Sequence, residues 1–154
     1  MKMTTISFLV NGGRVLLAEK KRGFGLGFLN GYGGKVQEGE TPAEAAVREL
    51  REEASITVAP ATLDKVAVIE FFDGDDPVTE CHIFFCTAWS GEPQESEEMA
   101  TPEWFDRAHP PFERMWAADR VWLPLVFGGQ KIQAKAYYAK GIKEMSRFEH
   151  MPLT

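Results

Sequence analysis

The sequence has only two cysteines, no long hydrophobic run and no excess of basic residues. Cys81 and Cys86 lie an odd number of positions apart in one predicted strand, so their side chains point to opposite faces. A disulfide between them is therefore not expected, and two thiols do not make a zinc site. We expect two buried, reduced thiols.

The absence of any apolar run near the roughly 18 residues of a membrane span predicts no membrane partner. The N-terminal segment MKMTTISFLV lacks the long apolar centre of a secretory signal, so a cytoplasmic location is expected. The net charge of −6 argues against a nucleic-acid polymer, which favours a basic stripe. It does not exclude a small anionic ligand held through a metal ion. We expect a monomer.

The chain of 154 residues predicts a single domain, residues 1–154, without internal repeats. Segments rich in β-branched and aromatic residues predict strands, and the glycines of FLNGYGGKV predict sharp turns. Apolar residues at helical spacing predict one helix over Phe112–Phe127, with a break at Pro124. A mixed α/β domain follows, with two helices and a mixed sheet. The predicted strands are 4–10, 14–20, 65–72 and 80–89, with a closing hairpin of 131–138 and 142–150 around a turn at 139–141.

A second helix is predicted over Pro42–Glu53 by the signals at its start. Thr41 is a suitable N-cap, Pro42 suits the first helical position, and Glu44 completes a capping box. One side of this helix is apolar and should pack on the sheet. The residues of that side are Ala43, Ala46, Val47, Leu50 and Ala54.

Three glutamates, Glu49, Glu52 and Glu53, crowd the last turns of the same helix. Like charges about 4 Å apart repel by about 4 kcal/mol at an effective dielectric of about 20. Negative charge is also unfavourable at a helix C-terminus. A solvated acidic face and a site for a hard divalent cation are both compatible with this pattern. All-oxygen ligands favour Mg²⁺ or Mn²⁺ over zinc.

The spacing of the acidic residues resembles the Nudix box. That motif is a glycine, five residues, a glutamate, seven residues, and then Arg-Glu-aliphatic-x-Glu-Glu-x-Gly-aliphatic. Ser55 stands where the family has glycine, which costs about 1 kcal/mol if the backbone there is left-handed. The resemblance implies a Nudix α/β/α sandwich with a mixed sheet and two main helices. The matching residues are Gly34, Glu40, Arg48, Glu49, Leu50, Glu52, Glu53 and Ile56.

The resemblance also implies a hydrolase that cuts a phosphoanhydride in a nucleoside diphosphate derivative, with Mg²⁺ as cofactor and Mn²⁺ as a substitute. Arg48 would orient Glu52, and Glu40 would brace the glycine-rich loop. Glu98 would serve as metal ligand or general base. The implied metal ligands are the Gly34 carbonyl, Glu49, Glu52, Glu53 and Glu98. The implied catalytic residues are Arg48, Glu52, Glu53 and Glu98.

Three segments resemble the Nudix branch that removes oxidised purine nucleoside triphosphates such as 8-oxo-dGTP from the nucleotide pool: KKRGFGLGFLNGYGGKVQEGET, ESEEMATPEWF and PFERMWAADRVWLPL. The products would be nucleoside monophosphate and pyrophosphate. Trp116 would stack on the base and Asp119 would bind its edge. The implied substrate contacts are Thr5, Lys20, Phe24, Asn30, Phe71, Trp116 and Asp119.

One departure from that branch concerns base selection, because Ala118 stands where the branch has the first of two adjacent aspartates. A lone Asp119 should stay ionised more readily, which would favour guanine-type edges over adenine-type edges. Three alternatives remain open. They are a Nudix hydrolase of ADP-ribose, dinucleoside polyphosphates or RNA 5′ ends, a catalytically silent nucleotide-binding module, and a metal-free domain with a solvated acidic helix.

Overall fold

A mixed β-sheet with one α-helix on each face forms the fold. The computed structural model describes residues 1–139 and 144–154. Short 3-10 helices lie at Pro60–Thr62 and Phe112–Arg114. The strands are β1 (Lys2–Asn11), β2 (Arg14–Glu19), β3 (Leu29–Asn30), β4 (Tyr32–Lys35), β5 (Leu63–Asp73), β6 (Asp76–Cys86), β7 (Glu103–Asp106), β8 (Ile132–Tyr138) and β9 (Met145–Pro152), and the helices are α1 (Pro42–Ala54) and α2 (Asp119–Phe127).

The sheet is built around β1, with the strand order β3-β2-β1-β6-β5-β8-β9. β1 runs parallel to β6 and antiparallel to both β4 and β2, which pair with opposite ends of it. β5 and β8 form a second parallel pair. The predicted sandwich with a mixed sheet and two main helices is therefore confirmed. No helix of the described residues is long and apolar enough to cross a membrane.

Each face of the sheet has its own hydrophobic core. Leu9 of β1 packs with Leu50 of α1 on one face, while Phe8 packs with Trp122 of α2 on the other. Cys86 belongs to the first core and Cys81 to the second, and both are free, buried thiols, as predicted. Burial raises the pKa of Cys81 to about 12, so this thiol stays protonated at neutral pH.

The start of α1 is as predicted. The Thr41 hydroxyl accepts the Glu44 N–H at 3.2 Å, and the Glu44 carboxylate accepts the Thr41 N–H at 2.9 Å. The helix ends at Ala54, and Ser55 follows in a left-handed conformation with φ 62° and ψ 32°. The apolar side differs slightly, because Ala45 is fully buried while two of its predicted members, Ala43 and Val47, are half-buried.

The prediction of one helix over Phe112–Phe127 is wrong. After the 3-10 helix Phe112–Arg114 the chain becomes extended at Met115, with φ −122° and ψ 171°, and α2 begins only at Asp119. The Asp119 carboxylate accepts the Trp116 N–H at 3.1 Å, which holds the intervening turn in place. α2 continues through Pro124 instead of breaking there, because Trp122, Leu123 and Val126 fix it in the core.

The prediction of sharp turns in FLNGYGGKV is also wrong. Gly33 and Gly34 lie inside β4, and neither they nor Gly31 has a positive φ. A Cβ at Gly33 would lie 1.7 Å from the Thr5 carbonyl oxygen, so glycine is required there for close strand packing.

Two predicted strands are right in type but shifted in extent. β5 is slightly longer than 65–72, and β6 starts before residue 80 and ends before residue 89. The closing hairpin is confirmed as the antiparallel pair of β8 and β9. Its predicted turn at 139–141 lies, except for Ala139, outside the described residues.

Candidate active site

The glutamates of α1 border a cleft between this helix, β4 and an acidic loop. We call it the acidic cleft. All five predicted metal ligands, Gly34, Glu49, Glu52, Glu53 and Glu98, border it. The other bordering residues are Lys20, Arg22, Gly33, Ser96 and Glu97.

Glu53 is the most buried acid of the cleft, with 4% of its surface exposed. Its Oε1 accepts the Gly33 N–H at 2.9 Å, which ties the end of α1 to β4. Burial raises the pKa of Glu53 to about 7, and the charge of Glu49 adds to the rise while the Gly33 N–H opposes it. An anion buried in this way needs a cation or further donors beside it.

Glu49 packs directly against Gly34. A Cβ at Gly34 would lie 2.6 Å from Glu49 Oε1, so only glycine leaves room for the carboxylate. Arg48 Nη1 donates to the same oxygen at 2.9 Å. Burial raises the pKa of Glu49, and this effect outweighs the opposing pair with Arg48.

Arg48 connects the helix to the loop that precedes it. Its guanidinium donates to both Glu40 oxygens, at 2.7 and 3.0 Å, and to the Lys35 carbonyl at 3.0 Å. It also donates to Glu52 at 3.3 Å. Glu40 in turn accepts the Gln37 N–H at 2.8 Å. The Arg48 bonds hold the pKa of Glu40 below its usual value, so Glu40 is a fixed anion that anchors Arg48.

The basic residues of the KKR segment pair with the acidic loop across the cleft. Lys20 Nζ donates to Glu98 Oε2 at 3.0 Å, and Arg22 Nε donates to Glu98 Oε1 at 2.7 Å. Lys21 pairs with Glu95 at 3.1 Å. The Arg22 and Lys20 contacts hold the pKa of Glu98 below its usual value. The segment is thus engaged in ion pairs instead of forming a solvated basic patch.

The donors of the acidic cleft fit a hard divalent cation, since they are carboxylate and carbonyl oxygens. The buried Glu53 carboxylate supports this assignment, because a cation would compensate its charge. Within 1–139 and 144–154, no group of three or more His, Cys, Asp or Glu side chains is already arranged to hold a metal ion. Arg48 forms ion pairs with Glu49 and Glu52, whereas Lys20 forms one with Glu98.

A second concave site, which we call the aromatic cavity, has a volume of about 340 Å³. This volume suits a small organic ligand. All seven predicted substrate contacts border it: Thr5, Lys20, Phe24, Asn30, Phe71, Trp116 and Asp119.

Trp116 is enclosed by other aromatic rings. Phe24 stacks on it with ring centroids 5.1 Å apart and planes at 22°, although 75% of the Phe24 surface is exposed. The Phe28 ring lies 4.6 Å away and Tyr138 meets Trp116 edge-on. A planar ligand that stacks on Trp116 must therefore replace Phe24 or use the opposite face of the indole.

Asp119 is buried at the base of the cavity, with 6% of its surface exposed. It accepts the Trp122 indole N–H at 2.9 Å and the Trp116 N–H at 3.1 Å. Burial raises the pKa of Asp119 to about 7, whereas these two donors lower it. The expectation that a lone Asp119 stays readily ionised is therefore wrong. Burial raises the pKa of Asp119, as a second nearby carboxylate would. Ala118 is fully buried, and its N–H donates to the Tyr138 hydroxyl at 2.9 Å.

Asn30 and Thr5 lie where β3 and β1 border the cavity. Asn30 Oδ1 accepts the Gly31 N–H at 2.8 Å, which fixes the side chain and assigns its NH₂ group to ligand contacts. The alternation of β1 puts the Thr5 hydroxyl on the face that α1 covers.

The acidic cleft and the aromatic cavity are continuous. Lys20, Gly33, Gly34 and Glu53 border both of them. A ligand with an aromatic ring in the cavity could therefore extend an anionic chain into the cleft, where acidic and basic side chains alternate.

A family model for the NUDIX domain matches residues 1–126. The chain belongs to the Nudix family. It is 49% identical over 138 residues to the oxidized purine nucleoside triphosphate hydrolase of Danio rerio, covering 89% of this chain and 85% of the relative. It is 45% identical over 131 residues to the Mus musculus protein of the same name, covering 84% and 82%. These matches confirm the predicted family and branch.

Solved structures show the same fold. A mutator MutT protein from Bacillus halodurans has a TM-score of 0.80 at 23% identity, with complete coverage of both chains. A MutT Nudix hydrolase from Burkholderia pseudomallei has a TM-score of 0.70 at 26% identity, covering 81% of this chain and 97% of that one.

Two residues of this Nudix site were missed by sequence reasoning. Phe28 and Tyr138 border the aromatic cavity and contact Trp116. Phe28 opens the glycine-rich segment FLNGYGGKV, so an aromatic residue among the implied substrate contacts there was a signal for the cavity. Tyr138 comes from β8 near the end of the chain, and no local pattern connects it to the Nudix box.

Proposed function

We propose that this Nudix protein hydrolyses oxidised purine nucleoside triphosphates such as 8-oxo-dGTP to nucleoside monophosphate and pyrophosphate, and so cleans the nucleotide pool. The continuity of the aromatic cavity with the acidic cleft carries the proposal, because it matches a purine joined to a polyphosphate. The names of the Danio rerio and Mus musculus relatives support it.

The base would occupy the aromatic cavity. Trp116 would stack on its face, a contact that contributes about 1–3 kcal/mol per base in other proteins. The Asn30 NH₂ group would donate to the purine edge, and Asp119 would accept from it or donate to it, depending on its protonation. Phe24 and Phe71 would close the walls, and Thr5 would border the sugar end.

The acidic cleft would hold Mg²⁺, with Mn²⁺ as a substitute, through the Gly34 carbonyl and four glutamates. When bound, such a cation neutralises phosphate charge and helps to activate water. Arg48 is already fixed by Glu40, so it would keep the neighbouring carboxylates oriented. Glu53 would face the cation from the end of α1, where the Gly33 N–H of β4 holds its carboxylate. The implied glutamate ligands are Glu49, Glu52, Glu53 and Glu98.

Lys20 and Arg22 would exchange partners when the substrate enters. Both hold Glu98 at hydrogen-bond distance. The phosphate oxygens are stronger anionic partners for these cations, and transfer of the cations to the phosphates would release Glu98 for the metal or for accepting a proton from water. The segment that carries Lys20 and Arg22 would thus bind the polyphosphate and, by doing so, free the Glu98 carboxylate.

The test is an incubation with Mg²⁺ and a panel that contains 8-oxo-dGTP, 2-hydroxy-dATP, dGTP, dATP and ADP-ribose. The proposal expects pyrophosphate and nucleoside monophosphate from the oxidised triphosphates, with the highest kcat/KM in the panel. Glu53→Gln should abolish this activity and remain folded, while Glu38→Gln, an exposed acid of the preceding loop, should keep it. Preferential cleavage of ADP-ribose would overturn the substrate assignment, and no turnover at all would favour a nucleotide-binding module. The single domain, the monomer and the cytoplasmic location remain predictions.

A further inference from the structure

Four residues with unpaired buried polar atoms share the face of the sheet that α1 covers. Among the described residues, five buried side-chain N or O atoms have no hydrogen-bond partner in the protein. Four of the five belong to Thr5 (Oγ1), Ser7 (Oγ), Tyr32 (Oη) and His82 (Nδ1). The fifth belongs to Asp73, at the far end of β5.

Strand register places these four side chains beside one another. Ser7 of β1 is directly opposite Tyr32 of β4, and Thr5 is directly opposite His82 of β6. Thr5, Ser7 and Leu9 alternate with residues that face away, so they share one face, and Leu9 packs under α1 in the same core as Tyr32. The polar side chains thus form one patch across three adjacent strands.

Glu53 reaches the edge of this patch from α1. Its Oε1 accepts the N–H of Gly33, the residue next to Tyr32. Tyr32 packs in the same core as Ala54, the residue of α1 that follows Glu53. Ser7 and Tyr32 have no measurable exposed surface, and Thr5 has 1%. The Ser7 and Tyr32 side chains are therefore shielded from solvent, whereas Thr5 also borders the aromatic cavity.

Folded proteins rarely leave such groups unpaired. More than about 90% of buried polar groups have a partner, either protein or ordered water. Buried waters occur at about one per 27 residues and make about three hydrogen bonds each, mainly to groups that lack a protein partner. A chain of this length should therefore contain about five or six of them. A group of four polar atoms on one face is the favoured place.

We propose that waters buried between β1 and α1 bind the hydroxyls of Ser7 and Tyr32, with Thr5 and His82 at the same site, and that they hold the Glu53 carboxylate in position. Ser7 and Tyr32 are then positioning residues that act on the cation site from behind. The role of Glu53 at the cation rests on the proposed function, whereas the buried waters do not.

Removal of the Tyr32 hydroxyl distinguishes a hydrated site from a dry one by the sign of its effect. In a dry site Tyr32→Phe removes an unpaired polar group, so Tm should stay the same or rise. In a hydrated site it removes a hydrogen bond and leaves a water poorly paired, so Tm should fall by about 2–4 °C. Tyr138→Phe is the matched control, because its hydroxyl accepts the Ala118 N–H directly and its loss should lower Tm. An unchanged or raised Tm for Tyr32→Phe overturns the proposal.

Mn²⁺ affinity, measured by electron paramagnetic resonance without substrate, tests the positioning role. Tyr32→Phe and Ser7→Ala should each weaken Mn²⁺ binding by about tenfold, as loss of an indirect partner does at other metal sites. The double variant should lose less than the product of the two effects, because both hydroxyls act through the same waters. Tyr138→Phe should leave Mn²⁺ affinity unchanged.

The outcomes separate the two proposals. If the wild-type protein binds Mn²⁺ and both variants bind it equally well, the positioning role is wrong while the proposed function stands. If the wild-type protein binds no Mn²⁺, the proposed function fails, and the Tm comparison still decides whether the site is hydrated. Ordered density within hydrogen-bond distance of Tyr32 Oη and Ser7 Oγ in a crystal structure would support the waters, and continuous apolar packing there would exclude them.

Discussion

The Glu49 carboxylate occupies the space that a side chain at Gly34 would need, because Glu49 Oε1 would lie only 2.6 Å from a Cβ placed on Gly34. The Nudix-box glycine is therefore required by the position of Glu49 and not by a turn. Its backbone is not in the left-handed region.

Gly34→Ala should displace Glu49 and lower kcat/KM by about 10- to 100-fold, as loss of correct ligand placement does at other metal sites. Steady-state hydrolysis of 8-oxo-dGTP measures this change. Gly13→Ala is the matched control, because a Cβ there meets no atom within 4 Å and the backbone is not left-handed. Equal activity of the two variants would show that Glu49 has room to move without loss.

Lys20→Ala should raise KM about tenfold or more, since hydrogen bonds to charged groups contribute about 1.5–3 kcal/mol. Tm should change little, because the partner carboxylate is partly exposed. Lys21→Ala is the control, since Lys21 pairs with Glu95 and does not border the cleft. A similar KM increase in both variants would indicate a general charge effect, which added salt would reveal by screening it.

Ser55→Gly should raise the free energy of unfolding by about 1 kcal/mol, because Ser55 occupies the left-handed region that glycine adopts without strain. Ser55→Ala should not stabilise the protein, since alanine has the same strain. Urea unfolding of the three proteins measures the differences. A less stable Ser55→Gly variant would show that the Ser55 side chain makes a compensating contact.

Asp119 should make stability depend on pH, because burial raises its pKa from the ordinary 3.8 to about 7. Between these values only the folded chain holds the proton, so stability falls as pH rises, by up to about 1.4 kcal/mol per unit, and levels off above 7. Urea unfolding of wild type and Asp119→Asn from pH 4 to 8 isolates this contribution. The free energy of unfolding of wild type, relative to that of Asp119→Asn, should fall as the pH rises toward 7. A relative free energy that is independent of pH contradicts the raised pKa.

The same titration should affect base choice. Below pH 7 a protonated Asp119 can donate a hydrogen bond, and above it the ionised form only accepts. The ratio of kcat/KM for 8-oxo-dGTP to that for 2-hydroxy-dATP should therefore rise with pH through about 7, because guanine-type edges present donors. In Asp119→Asn this ratio should be independent of pH. Strong discrimination against 2-hydroxy-dATP at every pH would instead support a narrowed specificity.

Local sequence signals predicted α1 well, and the metal ligands and substrate contacts that the family resemblance implied border the acidic cleft or the aromatic cavity. The capping box of Thr41 and Glu44 fixes the helix start, and helical spacing then places Glu49 and Glu53 on the cleft. The segment before α2 was mispredicted because its apolar spacing fits a helix. A local hydrogen bond from the Trp116 N–H to the Asp119 carboxylate instead forms a turn there, and the backbone at Met115 is extended.

Contacts between distant segments could not be predicted in the same way. Tyr138 joins the aromatic cavity only because β8 pairs with β5. Glu98 meets Lys20 across 78 positions, and no spacing rule connects them. The pKa of Asp119 depends on burial, which a sequence reports only indirectly. These failures concern long-range packing and not the chemistry of the residues.

The alternation of β1 places residues that border the ligand cavity and residues that support α1 at different positions of one strand. Thr4 and Ile6 border the aromatic cavity, as does Thr5, whereas Ser7 and Leu9 are buried on the α1 face behind the proposed cation site. Apart from Thr5, ligand preference can therefore change through the even-numbered positions while the odd-numbered positions keep the support of α1 intact. Directed evolution of new substrates should accordingly accept changes at one parity of this strand and reject them at the other.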